Sequence, residues 1–155
     1  MKRIRIRQHD LTDCGAACLS SVSAYYGLEH PLARIRQYAG TNSRGTNLLG
    51  MTEAAEKLGL ISKAVRVPSD QLENIPLPAI AHLNLQNKWY HFVVIYKIRK
   101  DKVRYMDPAQ GEMVISSLVE FQKSWTGIVL LLTPGKYFEQ GHASESMVKR
   151  FWNLI

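Results

Sequence analysis

The chain has 155 residues, of which 46% are hydrophobic and 21% charged, with a formal net charge of +7. That length fits one domain and that apolar content builds a core, which excludes a chain that is mainly disordered. The positive charge fits an anionic partner in general. The cations are scattered without the interleaved aromatics of single-strand binders, so no nucleic-acid partner is expected.

In chain order, Ile4 and Ile6 alternate with Arg3, Arg5 and Arg7 after Lys2, the pattern of an edge strand or extended arm. A first helix is predicted from Cys14, capped by Thr12 or Asp13 and stopped by Gly27, with Ala17, Cys18, Val22 and Tyr25 at helical spacing. A second helix is predicted over 31–39 with Pro31 in its first turn and Gly40 as its stop, then a polar loop over 41–45 and a third helix over 48–58 before Gly59.

The period then changes. Strands are predicted over 62–67, 79–85, 90–98, 102–106 and 112–115, with a helical turn over 71–74 ahead of Pro76 and Pro78. Turns at 86–88, 99–101 and 108–111 join the later strands. A helix over 117–125 and a buried-type strand over 126–132, ended by Pro134 and Gly135, complete the pattern. Helices first and antiparallel strands second make an α+β domain over 1–135. Residues 136–146 have linker composition, and 147–155 begin an amphipathic segment (Phe151, Trp152, Leu154 and Ile155 beside Lys149 and Arg150) that breaks off mid-pattern. No apolar run reaches the roughly 18–20 residues of a membrane span, and no signal-peptide core follows the basic start, so the domain is expected to be soluble and cytosolic.

Cys14 is the sharpest candidate for chemistry. A cysteine at a helix N-terminus meets the positive end of the dipole and unpaired amides, which favour the nucleophilic thiolate. Gly15 and Ala16 leave room for a substrate backbone. Cys18, one turn on, reads as a core residue. Two cysteines four apart in one helix do not pair readily, which points to free thiols and a reducing compartment.

A thiolate needs a base. Of the five histidines, His9 stands just ahead of the first helix, while His30 and His142 fall in loop and linker. His82 and His91 lie on predicted strands. His91 opens the apolar run from Phe92 to Tyr96 and is favoured, with His82 a competitor on these grounds. With a hairpin turn centred near residue 100, Asp107 falls opposite Val93, beside His91 on one face, and so is the candidate for orienting the imidazole. Its alternative is a plain turn carboxylate before Pro108. Gln8 carries an amide able to donate to an oxyanion together with the Cys14 N–H, although a surface glutamine fits the same spacing. No second pair of metal-type ligands follows Cys14 and Cys18 at ligand spacing, so no metal is expected.

The run Gln8-His9-Asp10-Leu11-Thr12-Asp13-Cys14-Gly15-Ala16-Ala17-Cys18-Leu19 resembles the active-site segment of bacteriocin-processing peptidase domains, which stand at the N-terminus of peptidase-containing ABC transporters. His91-Phe92-Val93-Val94 and Asp107-Pro108-Ala109-Gln110-Gly111 resemble that family's His and Asp blocks, and Tyr25-Tyr26-Gly27 and Trp125-Thr126-Gly127 also fit. The resemblance covers about residues 4 to 135, in the expected order.

It implies a papain-like cysteine peptidase fold, a helical half packed on an antiparallel sheet. Cys14 would be the nucleophile, His91 rather than His82 the base, Asp107 the orienting acid and Gln8 the oxyanion donor. The implied activity is an endopeptidase that removes a double-glycine-type leader from a peptide precursor, coupled to export; binding the leader without cutting it is the alternative. The implied partners are that precursor and the transmembrane and nucleotide-binding domains of the same full-length chain, a homodimer at the cytoplasmic face of the bacterial inner (cell) membrane. No cofactor is implied for the peptidase itself, ATP belonging to the transporter portion. Residues 147–155 would approach the first membrane helix.

Overall fold

A computed structural model describes residues 14–28, 30–39, 47–86 and 89–135. The expected cap at Thr12 or Asp13, the N-terminal arm, the 41–45 loop, Gln8 and the segment 136–155 lie outside them. The elements run α1 (Cys14–Tyr25), α2 (Leu32–Ala39), α3 (Leu48–Lys57), β1 (Leu60–Arg66), a 3₁₀ turn (Ser69–Asn74), β2 (Ala79–Leu85), β3 (Trp89–Arg99), β4 (Lys102–Asp107), β5 (Glu112–Ser117), α4 (Leu118–Ser124) and β6 (Trp125–Pro134). The order matches the expected one. The boundaries move by a residue or two, most of all at the strand ends, where the ladder continues past the apolar run.

Punctuation explains the helix limits. Gly27 at φ 97° and Gly59 at φ 89° take the left-handed conformation that stops α1 and α3. Asn47 caps α3 through Oδ1, which accepts from the Gly50 N–H at 2.8 Å, and Ser117 caps α4 by accepting from the Glu120 N–H.

Every residue of α1 from Cys14 to Ala24 is buried. Such a helix carries no single apolar stripe, because neighbours cover it all round. Its many alanines and serines let the sheet and the other helices approach closely. Its C-terminal half is tied to the sheet where the Ser21 and Tyr96 hydroxyls meet.

The strands form one six-stranded antiparallel sheet in the order β1-β6-β2-β3-β4-β5. Both faces of its centre are covered, so alternate residues serve two cores. Ile80, Phe92, Val94, Tyr96, Leu130 and Leu132 pack with α1 and α3. Ala79, Ala81, Val93, Ile95, Val129 and Leu131 pack with Phe121 of α4 and Leu72 of the 3₁₀ turn. Burial on both faces is why β2, β3 and β6 read as continuous apolar runs rather than alternating ones.

Candidate active site

Cys14 is the first residue of α1 and only 8% exposed. First-turn amides have no intrahelical acceptor, so this sulfur sits at a cluster of donors. His91 lies three residues into β3 and is 7% exposed, and Asp107 is the last residue of β4. His91 Nε2 and Asp107 Oδ1 are 2.8 Å apart. The Cys14 side chain lies near enough to the same imidazole to favour its charged form. Since Nε2 is taken by Asp107, the Cys14 contact falls to Nδ1. Residues from a helix start, a strand start and a strand end thus form one chain of contacts, sulfur to imidazole to carboxylate.

The register of β3 on β4 decides whether this happens. Lys100 and Asp101 form a tight turn with φ of 51° and 62°, between the pairs Arg99↔Lys102 and Ile98↔Val103. Continued without interruption, that register would set Asp107 opposite Val94, on the face away from His91. A bulge at Tyr96 shifts the register between Ile95↔Tyr105 and Lys97↔Arg104, so that Met106 pairs with Val94. Asp107 then falls next to Val93, on the His91 face. A one-residue shift in a strand turns every side chain over, and here it delivers the carboxylate to the imidazole.

The Asp107 side chain is held from its own turn as well. Oδ1 accepts from the Ala109 N–H at 3.0 Å, and the Asp107 carbonyl accepts from Gly111 N–H at 2.8 Å. The Asp-Pro-Ala-Gln-Gly run thus fixes the carboxylate from the backbone side, a contact that a turn rule could have suggested.

Burial disfavours a charged imidazole at His91, but the hydrogen bonds to Asp107 and Cys14, and the charges there, outweigh it and raise its pKa to about 9. For Asp107, burial pushes upward, while the hydrogen bond and charge of His91 and the Ala109 N–H hold the carboxyl below the ordinary carboxylate range. The raised value favours the imidazolium of His91 at neutral pH.

A pH dependence follows. Because the His91 pKa is raised in the fold, its contribution to stability is full below about 6.5 and is lost as pH rises through about 9. The lowered Asp107 value acts at the other end, its contribution fading as pH falls below the ordinary carboxylate range. Thermal unfolding followed from pH 6 to pH 10 should show a fall through the alkaline limb that His91→Gln removes.

His82, the competing base, is placed elsewhere. It pairs with Phe92 across β2 and β3, on the opposite face from His91. Its Nδ1 lies 2.9 Å from Thr126 Oγ1, and that hydroxyl donates to the His82 carbonyl at 3.0 Å. The single hydroxyl proton is committed, so His82 Nδ1 carries the hydrogen and donates. Burial lowers the pKa of His82, favouring the neutral ring. The ring stacks on Tyr90, with centroids 4.8 Å apart, and tilts against Phe92 at 5.1 Å. Phe92 belongs to the same core cluster as Cys14. Neither the Thr126 tether nor the Tyr90 stack was anticipated from the sequence; the Trp125-Thr126-Gly127 motif held the only hint.

Cys18 is fully buried, and burial first, then Cys14 and Asp107, push its thiol well above its ordinary value. It is a core residue, and both cysteines are free. Among the described residues there is no group of three or more side chains suited to hold a metal ion, and no helix is long and apolar enough to cross a membrane.

The fold and sequence have known counterparts. Of solved structures, the peptidase domain of Streptococcus ComA, a bi-functional ABC transporter of a quorum-sensing pathway, superposes with a TM-score of 0.80 at 30% identity, over 86% of this chain and 99% of that one. A double glycine motif protease from an AMS/PCAT transporter, solved with its leader peptide, gives a TM-score of 0.79 at 35% identity over 86% and 92%. The α+β papain-like architecture is common to them. The lactococcin-G-processing and transport ATP-binding protein LagD of Lactococcus lactis is 39% identical over all of this chain, which spans 22% of its length. PedD of Pediococcus acidilactici, a pediocin PA-1 transport/processing ATP-binding protein, is 37% identical over 82% of this chain and 18% of its own. The chain thus spans about a fifth of the curated relatives it matches. The Peptidase C39 family model matches residues 2–137, nearly the whole length, and the chain belongs to that family.

Proposed function

We propose that this domain is the cysteine peptidase that removes a double-glycine-type leader from a precursor peptide, with Cys14 as nucleophile, His91 as acid and base, Asp107 as the orienting carboxylate and Gln8 as oxyanion donor. The single observation that carries the reading is the imidazole of His91, hydrogen-bonded to the Asp107 carboxylate at 2.8 Å and near enough to Cys14 to interact with it.

The thiolate of Cys14 attacks the carbonyl of the last leader residue, forming the C–S bond while negative charge moves to the carbonyl oxygen. The Cys14 N–H and the Gln8 amide would hold that charge. His91 gives its Nδ1 proton to the leaving amine as the C–N bond breaks, leaving a thioester. The now neutral imidazole takes a proton from water, whose oxygen attacks the thioester; leader acid and thiolate are released. Asp107 stays ionised and keeps Nε2 as the donor nitrogen, which frees Nδ1 to face the sulfur.

The relatives' names, which pair processing with transport and ATP binding, support the wider setting. In it the domain serves a longer chain with transmembrane and nucleotide-binding parts, works as a homodimer at the cytoplasmic face of the cell membrane, and hands the mature peptide to the exporter. The solved relative with its leader peptide supports a leader as the bound substrate. The test is mass spectrometry of products after mixing the domain with a double-glycine precursor. Free leader acid and mature peptide are expected. Intact precursor retained on the protein would mean binding alone, and an amine-linked leader would mean acyl transfer.

The stack of Tyr90 on His82, beside Phe92 of the core cluster that includes Cys14, fits a demand for small residues next to the cut. Tyr90 is 67% exposed at the outer end of that stack. Tyr90→Ala should therefore raise cleavage of precursors with alanine in place of one leader glycine, relative to the parent precursor, by roughly tenfold. Competition of the two precursors, read by chromatography, checks this; an unchanged ratio at both glycine positions would rule the rings out.

A further inference from the structure

The far end of β3 and β4 carries an arrangement that catalysis does not use. Lys97 pairs with Arg104 and Arg99 with Lys102, so two pairs of like charges stand directly opposite each other across the strands. Arg104 also pairs with Ile115 of β5, which is 59% exposed. These side chains share one face, since Ile98 and Val103, the alternating residues, pack into the α4-side core. Lys100 stands at the turn, and with these five it lines an open concavity of about 470 Å³. The one carboxylate of the turn, Asp101, is not among the lining groups, and no ion pair neutralises any of the five cations among the described residues.

Opposed like charges on neighbouring strands destabilise a sheet. The turn adds to this, because Lys100 and Asp101 both hold left-handed conformations that glycine or asparagine would take more easily. A hairpin tip that keeps five cations together at this disadvantage gains from an anion outside the fold.

The chemistry of the lining narrows the partner. There is no aromatic ring for a base to stack on, as single-stranded nucleic acid needs. There is a single apolar side chain, too little for the anchor pockets that a bound peptide requires. Long cationic side chains around one exposed aliphatic residue suit the headgroup layer of an anionic bilayer, where the charges meet phosphates and the aliphatic group enters the acyl boundary. We infer that the β3–β4 hairpin face is a docking surface for anionic lipid headgroups, which holds the peptidase domain against a membrane. The face lies at the opposite end of β3 from His91, roughly 20 Å away for six extended residues, so it is separable from the chemistry and does not rest on the proposed cleavage.

The test is co-flotation of the 155-residue chain with phosphatidylcholine vesicles and with vesicles that also contain phosphatidylserine. Binding is expected only to the latter. The triple variant Lys100→Glu, Lys102→Glu, Arg104→Glu should weaken it on the order of 100-fold, given about 1 kcal/mol per cation at such a surface. A control with the same charge change, Lys57→Glu, Arg34→Glu, Lys123→Glu, should keep most of the binding, and thermal unfolding shows whether each variant is folded. Equal loss in both variants would overturn the inference by making the effect one of net charge. So would vesicle binding that survives the hairpin variant, or a chain that binds polyglutamate or duplex DNA but no vesicle. If the hairpin triple unfolds, Lys100→Glu alone carries the same comparison against Lys57→Glu alone.

Discussion

Cys14→Ala is expected to abolish processing of a double-glycine precursor, with kcat/KM falling by roughly 10⁴-fold or more, while the leader still binds. The sulfur is the atom that forms the covalent bond, and no other side chain replaces it. Cys18 is fully buried one turn along α1, with its thiol pushed away from ionisation. The residual rate is that of a bound substrate meeting water near an oxyanion site. The lost packing is small, because alanine keeps the Cβ and the position lies at the rim of the helix-side core. Fluorescence anisotropy with a labelled leader, beside a product assay, separates the two effects. Wild-type cleavage in the variant would remove the nucleophile from the proposal.

Asp107→Asn should lower kcat/KM by roughly 10²- to 10⁴-fold with little change in leader affinity. The amide oxygen can still accept from the Ala109 N–H, so the turn survives. What is lost is the charge and the strong acceptor on His91 Nε2. Burial then dominates the imidazole and its pKa falls from about 9. A ring less readily protonated brings fewer protons to the leaving amine, and its tautomer is no longer fixed. Titration of His91 by nuclear magnetic resonance in both proteins reads this shift directly. If activity drops while the His91 titration stays in place, Asp107 acts only through folding.

Much of the fold was legible because punctuation and pattern agreed. Gly27 and Gly59 marked helix ends, and the apolar runs of β2, β3 and β6 marked strands buried on both faces. The choice between His82 and His91 was not legible from pattern. They sit on paired strands, with His82 opposite Phe92 and His91 opposite Leu83, one rung apart on opposite faces. Nothing local tells which of these two imidazoles approaches Cys14. The resemblance of three motifs to a family implies His91, where composition leaves both open.

Asp107 is the more instructive residue. A simple hairpin centred near residue 100 placed it opposite Val93, which is where it lies. Yet the turn itself pairs Arg99 with Lys102, which would have put it on the wrong face, and the Tyr96 bulge restores the position. The expectation reached the right residue without the bulge that makes it right. Bulges depend on packing from another element, here the contact of Tyr96 with Ser21 of α1, and leave little trace in a strand's own sequence. Gln8, the fourth candidate, lies outside the described residues.

The pairing of a helix-start sulfur with His91 is tested most directly by alkylation. The protein is treated with iodoacetamide at neutral pH, and each cysteine's modification is timed by peptide mapping in the wild type and in His91→Ala. The expected result is fast modification of Cys14, an untouched Cys18, and a marked slowing at Cys14 once the imidazole is gone. Equal rates at Cys14 with and without His91 would contradict it.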